Sequence, residues 1–174
     1  FDIVKPTILN WLNYQSGLIS NSIRSAQLKD VSSSLLEKGD LDNALLCAKA
    51  LNGAQEKVSA LISISSAYYR YQPDYSNLIF HEALACAKLI NNEWERCESI
   101  RDLAIERKRQ GFTDEAYSLF IDALSVIPDM DYPWNFIGLQ SFYSHFFEIG
   151  KLDVVLDMAY RIIEKEFDSF GAYV

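Results

Sequence analysis

An all-α chain of repeated antiparallel helix pairs, a helical solenoid, is the fold class this sequence predicts, and three observations predict it. Gly39, Gly111 and Gly150 lie 72 and 39 residues apart, two steps and one step of a unit of 33 to 39 residues. The stretch EKVSALISISSAYYRY from Glu56 matches ERCESIRDLAIERKRQ from Glu95 at a constant offset of 39. Apolar residues keep that register as pairs three apart, Leu61 and Ile64, Ile100 and Leu103, Leu139 and Phe142, a spacing that holds one helical face. A fixed period of this size marks helical repeat architectures.

The elements follow in order. Residues 1–20 form a leading half repeat in which TILNWLNYQSGL matches the second helix of a pair, and the chain reads as a cut from a longer one, since it opens on Phe1. Repeat one, 21–53, turns at Gly39 and restarts at DLDNA. Repeat two, 54–92, has no glycine at its turn and carries Pro73, so a longer turn is expected. In repeat three, 93–130, a helix from about Glu93 ends at Gly111 as at a left-handed C-cap. TDEA then starts the next helix with Thr113 as cap and acids in its first turn, and Pro128 stops it. Repeat four, 131–174, turns at Gly150 before KLDVV. Eight or nine helices and no strand are expected.

A lone helix pair cannot bury its apolar faces, so small residues are needed where neighbours stack. Ser32, Ala44, Ala48, Ala83, Ala87, Ala104 and Ala116 fill these places. Tyr143 and Val155 break the pattern in repeat four, which reads as divergent or terminal.

Composition limits the function classes. Of 174 residues, 49% are hydrophobic and 23% charged, close to an average soluble protein, and no apolar run reaches the roughly 20 residues of a membrane-spanning helix. The net charge of −8 disfavours a nucleic-acid partner, whose phosphates are met by Lys and Arg. Three cysteines without CxxC spacing suit a reducing, cytoplasmic setting. Cys47 and Cys86 fall 39 apart at one packing position, while Arg96 beside Cys97 is a neighbour that would lower a thiol pKa.

GFTDEAYSLFIDALSVIPD, Gly111 to Asp129, resembles the second half of a tetratricopeptide (TPR) repeat, with Gly111, Ala116, Phe120, Ala123 and Pro128 in the family's places; GDLDNALLCAKAL keeps Gly39, Ala44 and Ala48. The resemblance implies a right-handed superhelix whose concave wall, lined by first helices, binds a peptide segment. Carried over, that wall is Ala26, Lys29, Ser33 and Leu36, then Ser59, Ile62, Ser66, Tyr69 and Arg70. Glu98, Arg101, Ile105, Lys108 and Arg109 follow, then Ile137, Gln140, Ser144 and Phe147. Lys29 fits the first position of the family's carboxylate clamp. Ser33 replaces its Asn, and Glu98 and Asp102 stand where basic residues belong, which argues against terminal-carboxylate capture.

Catalytic patterns are missing: there is no phosphate loop, GxSxG or HExxH, and His81 and His145 share no spacing. DLD at Asp40 and DMD at Asp129 lack the spaced ligands of a calcium loop and read as helix caps. No cofactor or metal is expected. The run ERCESIRDLAIERKRQG offers Arg101, Lys108 and Arg109 as an inward basic cluster, against the plainer reading of a solvated, ion-paired face. Most aromatics of repeat four are assigned to the core, with Tyr69 and Phe147 as exposed anchors.

The expected function is therefore a non-catalytic protein interaction module, a scaffold, adaptor or chaperone-like piece of a larger protein. Its candidate contacts are Lys29, Tyr69, Arg70, Arg101, Lys108, Arg109 and Phe147, toward a protein or peptide segment of acidic character. The alternatives are an RNA-binding helical-repeat protein and a regulatory arm of an enzyme whose catalyst lies elsewhere. Self-association is left open.

Overall fold

Three turns in this chain close in the same way. Gly39, Gly111 and Gly150 take φ of 76°, 89° and 67°, the left-handed region where a side chain is strained and glycine is not. Each follows a helix whose last carbonyls it caps. Gly111 N–H donates to Lys108 O and Phe112 N–H to Arg107 O; Gly39 and Asp40 do the same to Leu36 and Leu35, and Gly150 and Lys151 to Phe147 and Phe146. This paired pattern is the Schellman motif, and the glycine periodicity read from the sequence is its signature.

The structure is a computed structural model that describes residues 21–130 and 133–171, with side-chain surroundings for 25–128, 130 and 133–165. The leading half repeat expected over 1–20 lies outside these residues, as does the side chain of Asp129. Among the described residues there are eight α-helices and no strand: α1 Asn21–Glu37, α2 Leu41–Lys49, α3 Ala54–Tyr69, α4 Pro73–Lys88, α5 Glu93–Arg109, α6 Thr113–Leu124, α7 Trp134–Glu148 and α8 Leu152–Gly171. A 3-10 turn, Ile127–Asp129, follows α6. No described helix is long and apolar enough to cross a membrane.

The chain divides into two compact units, one up to Leu89 and one from Ile90. In the first, α1 packs on α2 and α3, α2 on α3, and α3 on α4. Its core holds Leu28, Cys47 and Leu51, with Val31, Leu35, Ala50 and Ala60 against them. Ser32 Oγ donates to Ala44 O at 3.0 Å across the first helix pair. In the second pair Ser65 Oγ reaches Ser76 O at 3.0 Å while Ser76 Oγ reaches Ser65 O at 2.7 Å. Small side chains let these helices approach, and each hydroxyl meets a carbonyl instead of being buried unpaired. Tyr68 on α3 adds a 2.6 Å hydrogen bond to Asp42 on α2.

In the second unit α5 packs on α6, α7 on α8, and α7 also touches α5 and α6. Phe120, Phe142 and Phe146 form the aromatic centre with ring centroids 6.0 to 6.5 Å apart. Every small position named from the sequence is buried: Ser32, Ala44, Ala48, Ala83, Ala87, Ala104 and Ala116 are all at most 3% exposed.

Five expectations are corrected. Thr113 is not the cap of α6: Phe112 holds the N-cap position without a side-chain bond, and Thr113 is already helical. The Schellman turn uses Gly111 and Phe112 as its two closing residues, which moves the helix start one residue on. Pro128 does not end α6, which stops at Leu124; Ser125 Oγ folds back on Asp122 O at 2.6 Å, and the proline sits in the 3-10 turn. Repeat two does not make a longer turn. Residues 70–72 join α3 to α4, as many as join the glycine-turned pairs, with Tyr71 and Gln72 N–H both donating to Tyr68 O and Pro73 starting α4. A proline at the first helical position loses no bond because that N–H has no helical acceptor. Tyr143 does not fill a small-residue position: it is 55% exposed, and the close approach on α7 is at Gly138, where a Cβ would sit 3.5 Å from Ile127 and Met130. Among the described residues the aromatics of repeat four are not mostly core: Trp134, Phe136, Tyr143, Phe147 and Tyr160 are exposed, while Phe142 and Phe146 are fully buried.

Candidate functional site

Every wall residue inferred from the resemblance is exposed or half-buried and none lies in the core. Helical spacing accounts for this, because the wall positions alternate with the buried Leu28, Leu61, Ile64, Ile100, Leu103 and Phe142.

In the first unit Lys29 and Arg70 are exposed, while Tyr69 is half-buried and so is not the exposed anchor expected of it. Arg70 lines an open cleft of about 640 Å³ with Leu36, Gly39, Ser66 and Tyr71. The cleft lies between the turn that ends α1 and the turn that ends α3.

The second unit carries the denser constellation. Arg101 is flanked by Asp102 at 3.2 Å and Glu98 at 3.7 Å. Lys108 on α5 pairs with Glu148 on α7, and Arg109, 76% exposed at its side chain, approaches Glu106 at 3.5 Å. Each cation of the proposed cluster therefore has an acid beside it, as the plainer ion-paired reading holds. The cluster is not self-contained, because the partner of Lys108 comes from the next helix pair. The Lys108 ammonium, by its hydrogen bond first and its charge second, holds Glu148 below the usual carboxylate range. His145, stacked on Phe120 with centroids 4.9 Å apart, is pushed down from its ordinary pKa by burial first and by Lys108 next. The imidazole is therefore neutral at pH 7.

Beside this cluster α7 presents Tyr143 and Phe147, 55% and 60% exposed. Their rings stack with centroids 6.1 Å apart and planes 16° from parallel. Phe147 was expected as an exposed anchor; Tyr143 was not. The signal for it was the four-residue spacing to Phe147 on a helix whose buried face already held Leu139, Phe142 and Phe146. Trp134, also exposed, meets Trp94 of α5 at 5.5 Å.

Arg107 is the residue the sequence concealed. Within the basic run it resembles its neighbours, yet it is 1% exposed. Its guanidinium Nε lies 3.0 Å from Glu115, its Nη1 donates to Gln110 Oε1 at 2.9 Å, and its carbon sits 4.9 Å over the Phe112 ring. Schellman motifs often bring the second residue beyond the helix against its last turn. Here that contact is a cation over an aromatic face.

The cysteines are packing residues. Cys97 Sγ lies 3.4 Å from Ala123 O, and burial pushes its thiol up to about 12 against the smaller opposing effect of Arg101. The lowering effect of Arg96 on this thiol is outweighed by desolvation, and the Arg96 guanidinium bonds Ile90 O at 3.0 Å. Cys47 is fully buried and its thiol is likewise raised by burial; Cys86 is half-buried. Among the described residues no group of three His, Cys, Asp or Glu is placed to hold a metal ion. Asp40, one of the acids weighed for calcium, caps α2 by accepting from Asn43 N–H and Nδ2.

No family model, no curated protein and no solved structure matches this chain.

Proposed function

We propose that this chain is a non-catalytic protein interaction module that holds an acidic partner segment on the α5–α7 surface of its second unit. The observation that carries the reading is the Tyr143–Phe147 stack. Two large rings lie largely in solvent, ordered against each other, on the helix that supplies the Lys108 partner. Exposed aromatics are the side chains that most often carry interface energy, and pre-ordering them reduces the entropy lost on binding. Arg101, Lys108 and Arg109 supply charge for carboxylates of the partner, exchanging their present acids for incoming ones. Phe147 and Tyr143 supply apolar contact. Lys29, Tyr69 and Arg70 of the first unit are secondary candidates for partner contact.

The test is affinity capture from lysate with the parent chain, a Tyr143→Ser/Phe147→Ser variant and an Arg101→Glu/Lys108→Glu/Arg109→Glu variant, all checked for unchanged helicity. Loss of the same proteins from both variants supports the reading. Retention of the parent's full set by both overturns it.

A further inference from the structure

α8 repeats α6 at an offset of 39, the interval between Gly111 and Gly150, and the two helices start in register at Thr113 and Leu152. At that offset Leu156, Tyr160 and Ile163 stand where α6 has Tyr117, Ile121 and Leu124. Residues four and three apart share one helical face. On α6 that face is covered: Tyr117 meets Phe146 of α7 with ring centroids 6.1 Å apart, Ile121 is half-buried and Leu124 is fully buried. On α8 the same three residues are 59%, 68% and 39% exposed. Among the described residues α7 and the 3-10 turn pack on α8, and the residues it buries are Val155 and Ile162, on a different face. The stripe thus occupies a position that the repeat covers with a helix one pair earlier.

Charge says which kind of helix fits. The chain's net charge of −8 lies wholly in the second unit, since residues 1–89 hold eight acids and eight bases. α8 itself has five acids and two bases. Of those bases, Lys165 points away from the stripe, its ammonium on the Pro128 carbonyl, and Arg161 is paired with Asp157 at 2.8 Å. Lys151, just before the helix, lies with Lys108 and Thr113 on the α5–α6 side. Asp153, three residues before Leu156, and Glu164, one after Ile163, remain exposed along one edge of the stripe. A second copy of α8 would bring the same acidic excess and be repelled, whereas a helix carrying Lys or Arg is attracted.

We propose that the Leu156–Tyr160–Ile163 face of α8 docks a basic amphipathic helix of another protein. Apolar residues three and four apart on that helix pack on the stripe, and its Lys or Arg residues meet Asp153 and Glu164. The surface is separate from the α5–α7 site and takes a partner of opposite charge, so each reading can fail without the other.

The experiment uses the whole chain, isotope-labelled for NMR, and three capped peptides of about 18 residues, long enough to form a helix on binding. The first has leucines three and four apart with lysines between them. The second replaces every lysine by glutamate, and the third scrambles the first, keeping its charge but not its apolar face. The expected result is amide shifts from the first peptide centred on residues 152–164, with the other two binding at least about tenfold more weakly. Leu156→Ser/Tyr160→Ser and Asp153→Lys/Glu164→Lys, all at exposed positions, should each weaken the first peptide about tenfold with the helical spectrum unchanged. Equal binding of the scrambled or the glutamate peptide, shifts centred elsewhere, binding indifferent to either double variant, or no shift at all overturns the proposal. So does self-association of the parent in sedimentation that Leu156→Ser/Tyr160→Ser abolishes, because a second copy is then the occupant.

Discussion

Ser65 and Ser76, on facing helices α3 and α4, each donate a hydroxyl to the other's backbone carbonyl, at 3.0 and 2.7 Å, with the two hydroxyl oxygens 3.0 Å apart. Both side chains are fully buried. Ser65→Ala and Ser76→Ala should each cost about 1 kcal/mol, the net worth of a buried hydrogen bond. The double variant should cost less than the sum. Ala104 and Ala116, seven residues before and five after Gly111, show that a buried alanine pair serves in the same kind of helix pair. A double-mutant cycle by urea unfolding checks this; strict additivity would mean that the two hydroxyls do not act as a unit.

The three left-handed glycines give a cleaner test of backbone strain. A Cβ at Gly39, Gly111 or Gly150 meets nothing within 4 Å, so alanine there costs conformational energy alone. Each substitution should destabilise by about 1–2 kcal/mol. Gly53→Ala is the control, with φ of −70° and only the flexible Glu56 side chain in the way, and should cost about half as much or less. Equal losses at all four sites would contradict the assignment of the cost to φ.

Arg107→Lys should behave almost as badly as Arg107→Ala. The flat guanidinium meets Glu115, Gln110 and the Phe112 face together, and an ammonium cannot reproduce that fork. About 2 kcal/mol is expected for either. This is below the 3–5 kcal/mol of a fully buried pair, because Glu115 is 36% exposed at its side chain. Thermal melts of both variants would show whether lysine rescues.

Thiol chemistry should separate the cysteines. With the Cys97 thiol raised to about 12, the native protein at pH 8 should show Cys86 reacting first with a disulfide reagent, and Cys97 only on unfolding. The sign for stability follows. Above the unfolded value of 9.0 the unfolded chain loses this proton while the folded chain keeps it. The contribution is thus intact below pH 9 and lost as pH rises toward 12, by up to about 1.4 kcal/mol per unit. Cys97→Ala should flatten that part of the stability–pH curve.

Helix positions were legible because glycine at a left-handed turn and apolar spacing of three are local signals, and Gly39, Gly111, Gly150, Leu61 and Ile100 carry both. The site was legible only in part. Lys108 was found, but Glu148 lies 40 residues away and nothing local joins the two. Arg107 looked like any charge in a solvated run; its burial depends on Phe112 and Glu115, which the turn delivers after the helix has ended. Tyr143 was misassigned because aromatic residues on a helix read as core unless the buried face is already full, as Leu139, Phe142 and Phe146 fill it on α7.

The four helix pairs are each joined by only three residues, 38–40, 70–72, 110–112 and 149–151. Bringing the two ends of so short a connection together takes well under a microsecond, and contacts between sequence neighbours are the kind associated with microsecond to millisecond folding. At synthesis rates of roughly 5–20 residues per second, a ribosome would take seconds to extend the chain by one pair. Each hairpin would then be complete before the next emerges, leaving little time for its apolar face to find a wrong mate.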